Sequence, residues 1–242
     1  MVSPEIIVTR AEPGASETMQ RLGKAGYSAI CSPMLELKAL EGAVPDLSGI
    51  HNFVFTSANG VRFFLEAMGG MTGELAGLTA WCVGPATRLA AHEAGFERLV
   101  DADGNADDLA RHILASPDRK EGYLHIANSA AAGNLVSRLV ASGRDARFLA
   151  LYETVPVTRL TEAAAAAIET PDPCIILLHS AKGAEAFRAA SEALCLDTSL
   201  FVAISEAAGA PLKAFDGLHI HYADRPNEES LMSALARACQ GL

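Results

Sequence analysis

The chain contains one pattern twice. Phe53–Gly60 (FVFTSANG), followed by Phe64, is echoed by Ile176–Gly183 (ILLHSAKG), followed by Phe187. Ser57, Gly60 and Phe64 answer Ser180, Gly183 and Phe187 at a single offset of 123. Trp81–Ala90 is answered by Val202–Pro211 at an offset of 121, and Arg21, Leu22 and Gly26 by Arg138, Leu139 and Gly143 at 117. A long period of this kind constrains the fold more than any single motif, because each copy must form a comparable structural unit. It predicts two similar lobes, with a cleft between them as the expected place for a small molecule.

The remaining composition narrows the class. At 242 residues, half of them apolar, the chain is large enough for two cores. Met1–Gly14 has Glu5, Arg10 and Glu12 around one short apolar run and lacks the pattern of a secretory signal. No apolar stretch reaches the roughly 20 residues of a spanning helix. The expectation is a cytoplasmic protein. A formal net charge of −10 argues against nucleic acid and anionic membrane as main partners. Cys31, Cys82, Cys174, Cys195 and Cys239 are odd in number and widely spaced with no CxxC, so they read as buried free thiols. His219 and His221 would share one face of a strand as a candidate metal pair, but no third ligand is visible in the sequence nearby, and no metal is expected.

Short β-branched or aromatic runs alternate with helical spacing. Strands are predicted over Glu5–Thr9, Phe53–Thr56, Thr79–Val83, Tyr123–Ile126, Cys174–Leu178, Leu200–Ile204 and Leu218–Tyr222. The stretches between them space their apolar residues as helices do, as at Ala15, Met19 and Leu22. The fold class is therefore α/β, with two similar parallel-sheet lobes. Ala163–Ala167 reads as a surface helix. Ser32–Ala39 and Phe148–Pro156 are extended, apolar and matched in the two copies; paired antiparallel strands crossing between lobes fit both.

Polar turns close several strands just ahead of the next helix: Thr9-Arg10, Thr56-Ser57-Ala58-Asn59, Gly84 to Thr87, Asn128-Ser129 and His179-Ser180-Ala181-Lys182. In an open α/β sheet such carboxyl-end turns border the ligand crevice, and Ser, Thr or Asn there can equally cap the helix. Both readings stand for each turn, and recurrence in both copies is what favours the functional one. No GxGxxG follows the first strand, which argues against a dinucleotide site.

Val8-Thr9-Arg10, Phe55 to Val61 (FTSANGV), Val83 to Thr87 (VGPAT) and Leu151 to Thr154 (LYET), in this order and spacing, resemble uroporphyrinogen-III synthase over nearly the whole chain. The resemblance implies a first lobe of residues 1–36 and 155–242 and a second of 37–154, joined by a two-stranded β linker. It implies an enzyme that closes a linear hydroxymethyl tetrapyrrole into a ring, inverting the last pyrrole and releasing water without a cofactor, as a monomer. Tyr152 takes the position of the family's Tyr near the leaving group. A phenol titrates near 10 and so keeps its proton at neutral pH. The alternative for Tyr152 is a linker aromatic that packs between lobes. Because the substrate carries many carboxylates and the chain is acidic, local donors must hold it. Helix N-termini suit anions. The candidate binding residues are Thr9, Arg10, Ser57, Ala58, Asn59, Gly84, Thr87, Ser180, Ala181 and Lys182, with a solvated surface role equally open for Lys182.

The second copy departs from the family. Ser205-Glu206-Ala207-Ala208 stands where Gly-x-x-Thr is usual, and Ala127-Asn128 where Arg-Gly is common. A two-lobed binding protein without catalysis is the competing reading, and Tyr152 discriminates, since a pure binder needs no neutral acid there.

Overall fold

The structure, a computed structural model, describes residues 4–42, 45–70, 75–117, 121–131, 134–213 and 217–241. The first three residues of the Met1–Gly14 segment read above lie outside that set. Along the chain the elements are β1 (Glu5–Val8), α1 (Gly14–Lys24), β2 (Ala29–Cys31), β3 (Leu35–Ala39), β4 (Ile50–Phe55), α2 (Ala58–Ala67), β5 (Thr79–Cys82), α3 (Pro85–Glu93), β6 (Arg98–Asp101) and α4 (Ala106–Ala115). They continue as β7 (Gly122–Asn128), α5 (Asn134–Ala141), β8 (Ala146–Pro156), α6 (Glu162–Glu169), β9 (Cys174–Leu178), α7 (Ala181–Ala190), β10 (Leu200–Ala203), α8 (Glu206–Gly209), β11 (His219–Tyr222) and α9 (Glu228–Gln240).

Contacts divide the chain into two compact units, Met1–Leu37 with Thr154–Leu242, and Lys38–Glu153. Both boundaries fall inside strands β3 and β8, which pair with each other. Leu40 N–H donates to Leu151 O and Val157 N–H to Met34 O, both at 2.9 Å, so the pairing is antiparallel.

In the discontinuous unit the sheet runs β11-β10-β9-β1-β2, with every pairing parallel. Alternation buries both faces. Ile6, Val8, Ile175, Leu177 and Val202 meet Leu22 of α1 and Leu231 and Leu235 of α9. Ile7, Ile176, Leu178 and Phe201 meet Ile168 of α6 and Phe187 of α7. The unbroken apolar run Cys174–Leu178 is what a parallel strand covered on both sides requires.

The continuous unit has the order β3-β8-β7-β4-β5-β6, parallel except at β3. Val54, Trp81 and Tyr123 pack on Leu109 and Ile113 of α4 and Leu139 of α5. The other face is aromatic: Phe53 and Phe55 lie against Phe64 of α2 and Phe96, with ring centroids 5.0–6.4 Å apart.

The two sheets share one topology with a permuted chain. Strands β6-β5-β4-β7-β8 correspond in order to β11-β10-β9-β1-β2. Each unit therefore takes the front of one sequence copy and the back of the other. The offset of 117 belongs to β1-α1-β2 against β7-α5-β8, and the offsets of 121 to 123 to the rest. The copies also end helices alike. Gly26 (φ 83) and Gly143 (φ 81) terminate α1 and α5, and the next N–H returns to Leu22 O and Leu139 O at 3.0 Å.

Two expectations need correction. Strands β2 and β6 were not anticipated; they are edge strands of three and four residues. The thiols are not uniformly buried: Cys82 and Cys174 are, Cys31 and Cys239 are half-buried, and Cys195 is exposed in the loop after α7. Burial pushes the Cys82 thiol up to about 12, helped by the charge of Asp101. Among the described residues no helix is long and apolar enough to cross a membrane, and no group of three or more His, Cys, Asp or Glu could hold a metal ion. His219 and His221 are both exposed on β11.

Candidate functional site

In the continuous unit the polar turns gather at the carboxyl edge of the sheet. Ser57 is extended (φ −162, ψ 156) and caps α2, accepting from Gly60 N–H at 3.3 Å. Its Oγ also lies 2.9 Å from the Tyr152 hydroxyl. Tyr152 arrives there because β8 carries an irregularity. Ala127 pairs with Ala150, but Asn128 pairs with Tyr152, so Leu151 is the extra residue and both Leu151 and Tyr152 are buried. Phe63 stacks on the Tyr152 ring at 4.5 Å and 9°. The phenol is thus fixed in plane by a ring and at its tip by a hydroxyl.

Ser57 and Tyr152 can divide their hydrogens in one useful way. Ser57 Oγ already accepts from Gly60, so its own hydrogen can go to the Tyr152 oxygen, which leaves the phenolic hydrogen for a ligand. Behind them Thr56 Oγ1 lies 3.3 Å from Nε2 of His125, whose burial lowers its pKa to about 4 and keeps the ring neutral. Asn59 accepts from the Arg62 guanidinium and is half-exposed. Ala58 opens α2.

Gly84 is extended (φ −173, ψ 178) and leads into Pro85 at the first position of α3, without a side-chain cap. Thr87 is buried, 4% exposed. Of the candidates in this unit, Ser57 and Tyr152 touch directly.

In the discontinuous unit Ser180 repeats Ser57, with φ −158 and ψ 155, accepting from Gly183 N–H at 3.1 Å. Ala181 begins α7, and exposed Lys182 donates through Nζ to Thr154 O at 2.5 Å. Thr9 is buried and donates to Leu177 O at 2.6 Å, which ties β1 to β9. Arg10 donates to Oε1 of Glu228 at 2.5 Å. The same oxygen receives Thr18 Oγ1 at 3.0 Å and lies 3.1 Å from His179 Nε2. Burial alone would raise the Glu228 pKa; the hydrogen bonds and charges of His179, Thr18 and Arg10 outweigh it, and the net shift is downward. Arg10 is therefore already matched by a carboxylate of its own unit.

The turn Ser205-Glu206-Ala207-Ala208 keeps its capping geometry, Ser205 accepting from Ala208 N–H at 3.2 Å. The helix it opens, α8, runs only four residues, against nine for α3.

His125, Phe63 and Glu228 were not singled out from sequence, whereas Thr56 and His179 entered only as the first residues of their turns. The repeat gives a signal for His179 and Glu228. His179 falls on Thr56 at the repeat offset of 123, and Asn227, which caps the helix that Glu228 begins, falls on the cap Asn105 at 122.

Two α/β units of one topology, each dominated by parallel strands and with helix-opening turns at the carboxyl edge of its sheet, define a duplicated α/β protein. The model of a family described as uroporphyrinogen-III synthase HemD matches residues 16–233, and the chain belongs to that family. A protein of Chlorobaculum parvum named uroporphyrinogen-III synthase is 28% identical over 158 residues, 62% of this chain; the match spans 64% of that relative's length. The crystal structure of uroporphyrinogen-III synthetase from Helicobacter pylori superposes with a TM-score of 0.67 at 20% identity, covering 97% of this chain and 99% of that one. A mutant uroporphyrinogen III synthase from Thermus thermophilus superposes at 0.54 and 20% identity, over 99% and 100%. These two likenesses establish the fold.

Proposed function

We propose that the chain is a cyclising hydro-lyase of tetrapyrrole biosynthesis that converts linear hydroxymethylbilane to uroporphyrinogen III, inverting the last pyrrole ring and releasing water. The observation that carries this reading is the family match, which runs through both units. The Ser57–Tyr152 pair gives it a chemical centre.

Tyr152 gives its phenolic hydrogen to the departing hydroxyl, so that the C–O bond breaks and water leaves. Ser57, donating to the phenol oxygen, supports the charge that develops there. The cation left on the methylene carbon of the first pyrrole is attacked by the already substituted carbon of the last ring. The bond from that carbon to its neighbouring bridge then breaks, leaving a second cation on the bridge. Capture of this cation by the free α-carbon of the same ring, with loss of that carbon's proton, closes the inverted macrocycle and restores the proton balance. Holding the flexible tetrapyrrole so that the inverting carbon attacks is the larger part of catalysis, and positioning can supply several kcal/mol. Backbone N–H groups at Ser57-Ala58-Asn59 and Gly84 to Thr87 in the continuous unit, and at Ser180-Ala181-Lys182 in the discontinuous one, offer donors to the carboxylates, with Thr9 tying the start of the Arg10 turn to β9 and Arg10 adding positive charge beside Glu228. The protein works as a cytoplasmic monomer without a cofactor.

The test is to supply fresh linear hydroxymethylbilane and separate the product isomers. Inverted isomer above the spontaneous level supports the reading. A chain that binds the product but leaves the spontaneous ratio unchanged would be the non-catalytic paralogue.

A further inference from the structure

One face of α3 continues on from the Gly84-to-Thr87 turn. Pro85, Arg88, Leu89 and His92 stand at helical spacing on a single stripe. Together with Asp101, the last residue of β6, they line an open cleft of about 560 Å³. Leu89 is 58% exposed, and only one other large hydrophobic among the described residues, Val140, is comparable. Arg88 makes no ion pair or side-chain hydrogen bond among the described residues. The cleft opens at the carboxyl edge of the sheet, since α3 begins there at Gly84 and β6 ends there at Asp101.

The chemistry selects an amphiphilic anion. Pro85 and Leu89 present apolar surface to one side of a flat ring, while Arg88 offers a fork of donors to a carboxylate beside it, with His92 one turn further. A lone aliphatic patch would not need the guanidinium, and a phosphate site would not need the leucine. Asp101 opposes an anion, although its Oδ1 is occupied by Asp103 N–H at 2.8 Å.

We propose that this stripe is a subsite for one carboxylate-bearing pyrrole ring of the tetrapyrrole, with Leu89 and Pro85 against the ring and Arg88 on its carboxylate. The proposal rests on the function proposed above and extends it from the Gly84-to-Thr87 turn to Arg88 and Leu89.

The probe is uroporphyrin III, the stable oxidised octacarboxylate, titrated by fluorescence at about 150 mM salt, where screening beyond about 8 Å isolates local charge. Arg88→Ala is expected to weaken binding about fivefold, the upper end for an exposed pair, and Leu89→Ser about threefold for lost apolar contact. Asp101→Asn keeps the acceptor for Asp103 N–H and is expected to tighten binding about twofold. Arg98→Ala, at the opposite end of β6, is expected to change nothing. All four positions lie at the surface or edge, so melting temperatures should stay within a few degrees, which shows that the variants fold. Equal affinity in Arg88→Ala and wild type, or weaker binding in Asp101→Asn, overturns the subsite even if wild type forms the inverted isomer. A wild-type chain that neither binds the porphyrin nor makes that isomer overturns both readings together.

Discussion

At the scale of single residues, the Tyr152 hydroxyl carries the chemistry and its ring carries the packing, and the two separate cleanly. Tyr152→Phe keeps the stack on Phe63 and gives up one hydrogen bond to Ser57. It should lower stability by about 1 kcal/mol and keep product affinity, while turnover to the inverted isomer falls by about 10²–10⁴. Normal turnover in a stably folded Phe variant would remove Tyr152 from the mechanism. Ser57→Ala removes both the cap of α2 and the support for the phenol, so it should cost about 1 kcal/mol in stability and lower turnover more than product affinity. His125 gives the pH dependence a sign. Its pKa is about 4 in the fold, against about 6.5 for a free imidazole. Above 6.5 both states are neutral. Between 6.5 and 4 the unfolded chain takes up a proton that the folded chain refuses, so stability should fall with pH, by about 3 kcal/mol in all. Urea midpoints across this window should drop steeply for wild type and more shallowly for His125→Gln.

At the scale of elements, Gly60 and Gly183 occupy the same place in α2 and α7 but meet different surroundings. A Cβ on Gly60 would lie 2.7 Å from the Ile126 carbonyl oxygen, a backbone atom of β7, whereas one on Gly183 would come closest to Ser180 Oγ, at 3.1 Å. Gly60→Ala should therefore destabilise by about 1–3 kcal/mol through the clash. Gly183→Ala should be near neutral, because the helix gains about 1 kcal/mol from alanine. Equal melting shifts in the two variants would show that α2 sits no closer to its sheet than α7 does. The same pair illustrates what was legible in the sequence. Ser at the cap and Gly three positions on recur because the strand-to-helix turn recurs, so the duplication, the parallel α/β class and the central strands could be read directly. The edge strands Ala29–Cys31 and Arg98–Asp101 could not, since short edges lack the apolar run of a strand buried on both faces. The Ser57–Tyr152 contact spans 95 residues and depends on the extra residue at Leu151; the Arg10–Glu228 pair spans 218. Neither a bulge nor a partner so distant leaves a local trace.

At the scale of the whole molecule, the permuted trace makes the two units unequal in how they can form. Lys38–Glu153 is a single segment with its own sheet order and its own aromatic and aliphatic cores. The other unit needs β1, α1 and β2 from the start of the chain and β9 to β11 from its end, joined across the whole of the first. Closing so long a loop carries an entropic cost that grows only logarithmically, so the unit is stable once made, but its central β1–β9 pairing is non-local and slow to form. A polypeptide of residues 38–153 alone should therefore unfold cooperatively in urea, with coincident far-ultraviolet circular dichroism and Trp81 fluorescence transitions. Residues 154–242 alone lack the two strands that complete their sheet and leave one side of β9 unpaired, so they should show no such transition. Adding a 1–37 peptide in trans should restore one if the sheet is the organising element. A non-cooperative 38–153 fragment, beside a 154–242 fragment that folds without the peptide, would reverse the assignment of which half of this duplicated chain is self-sufficient.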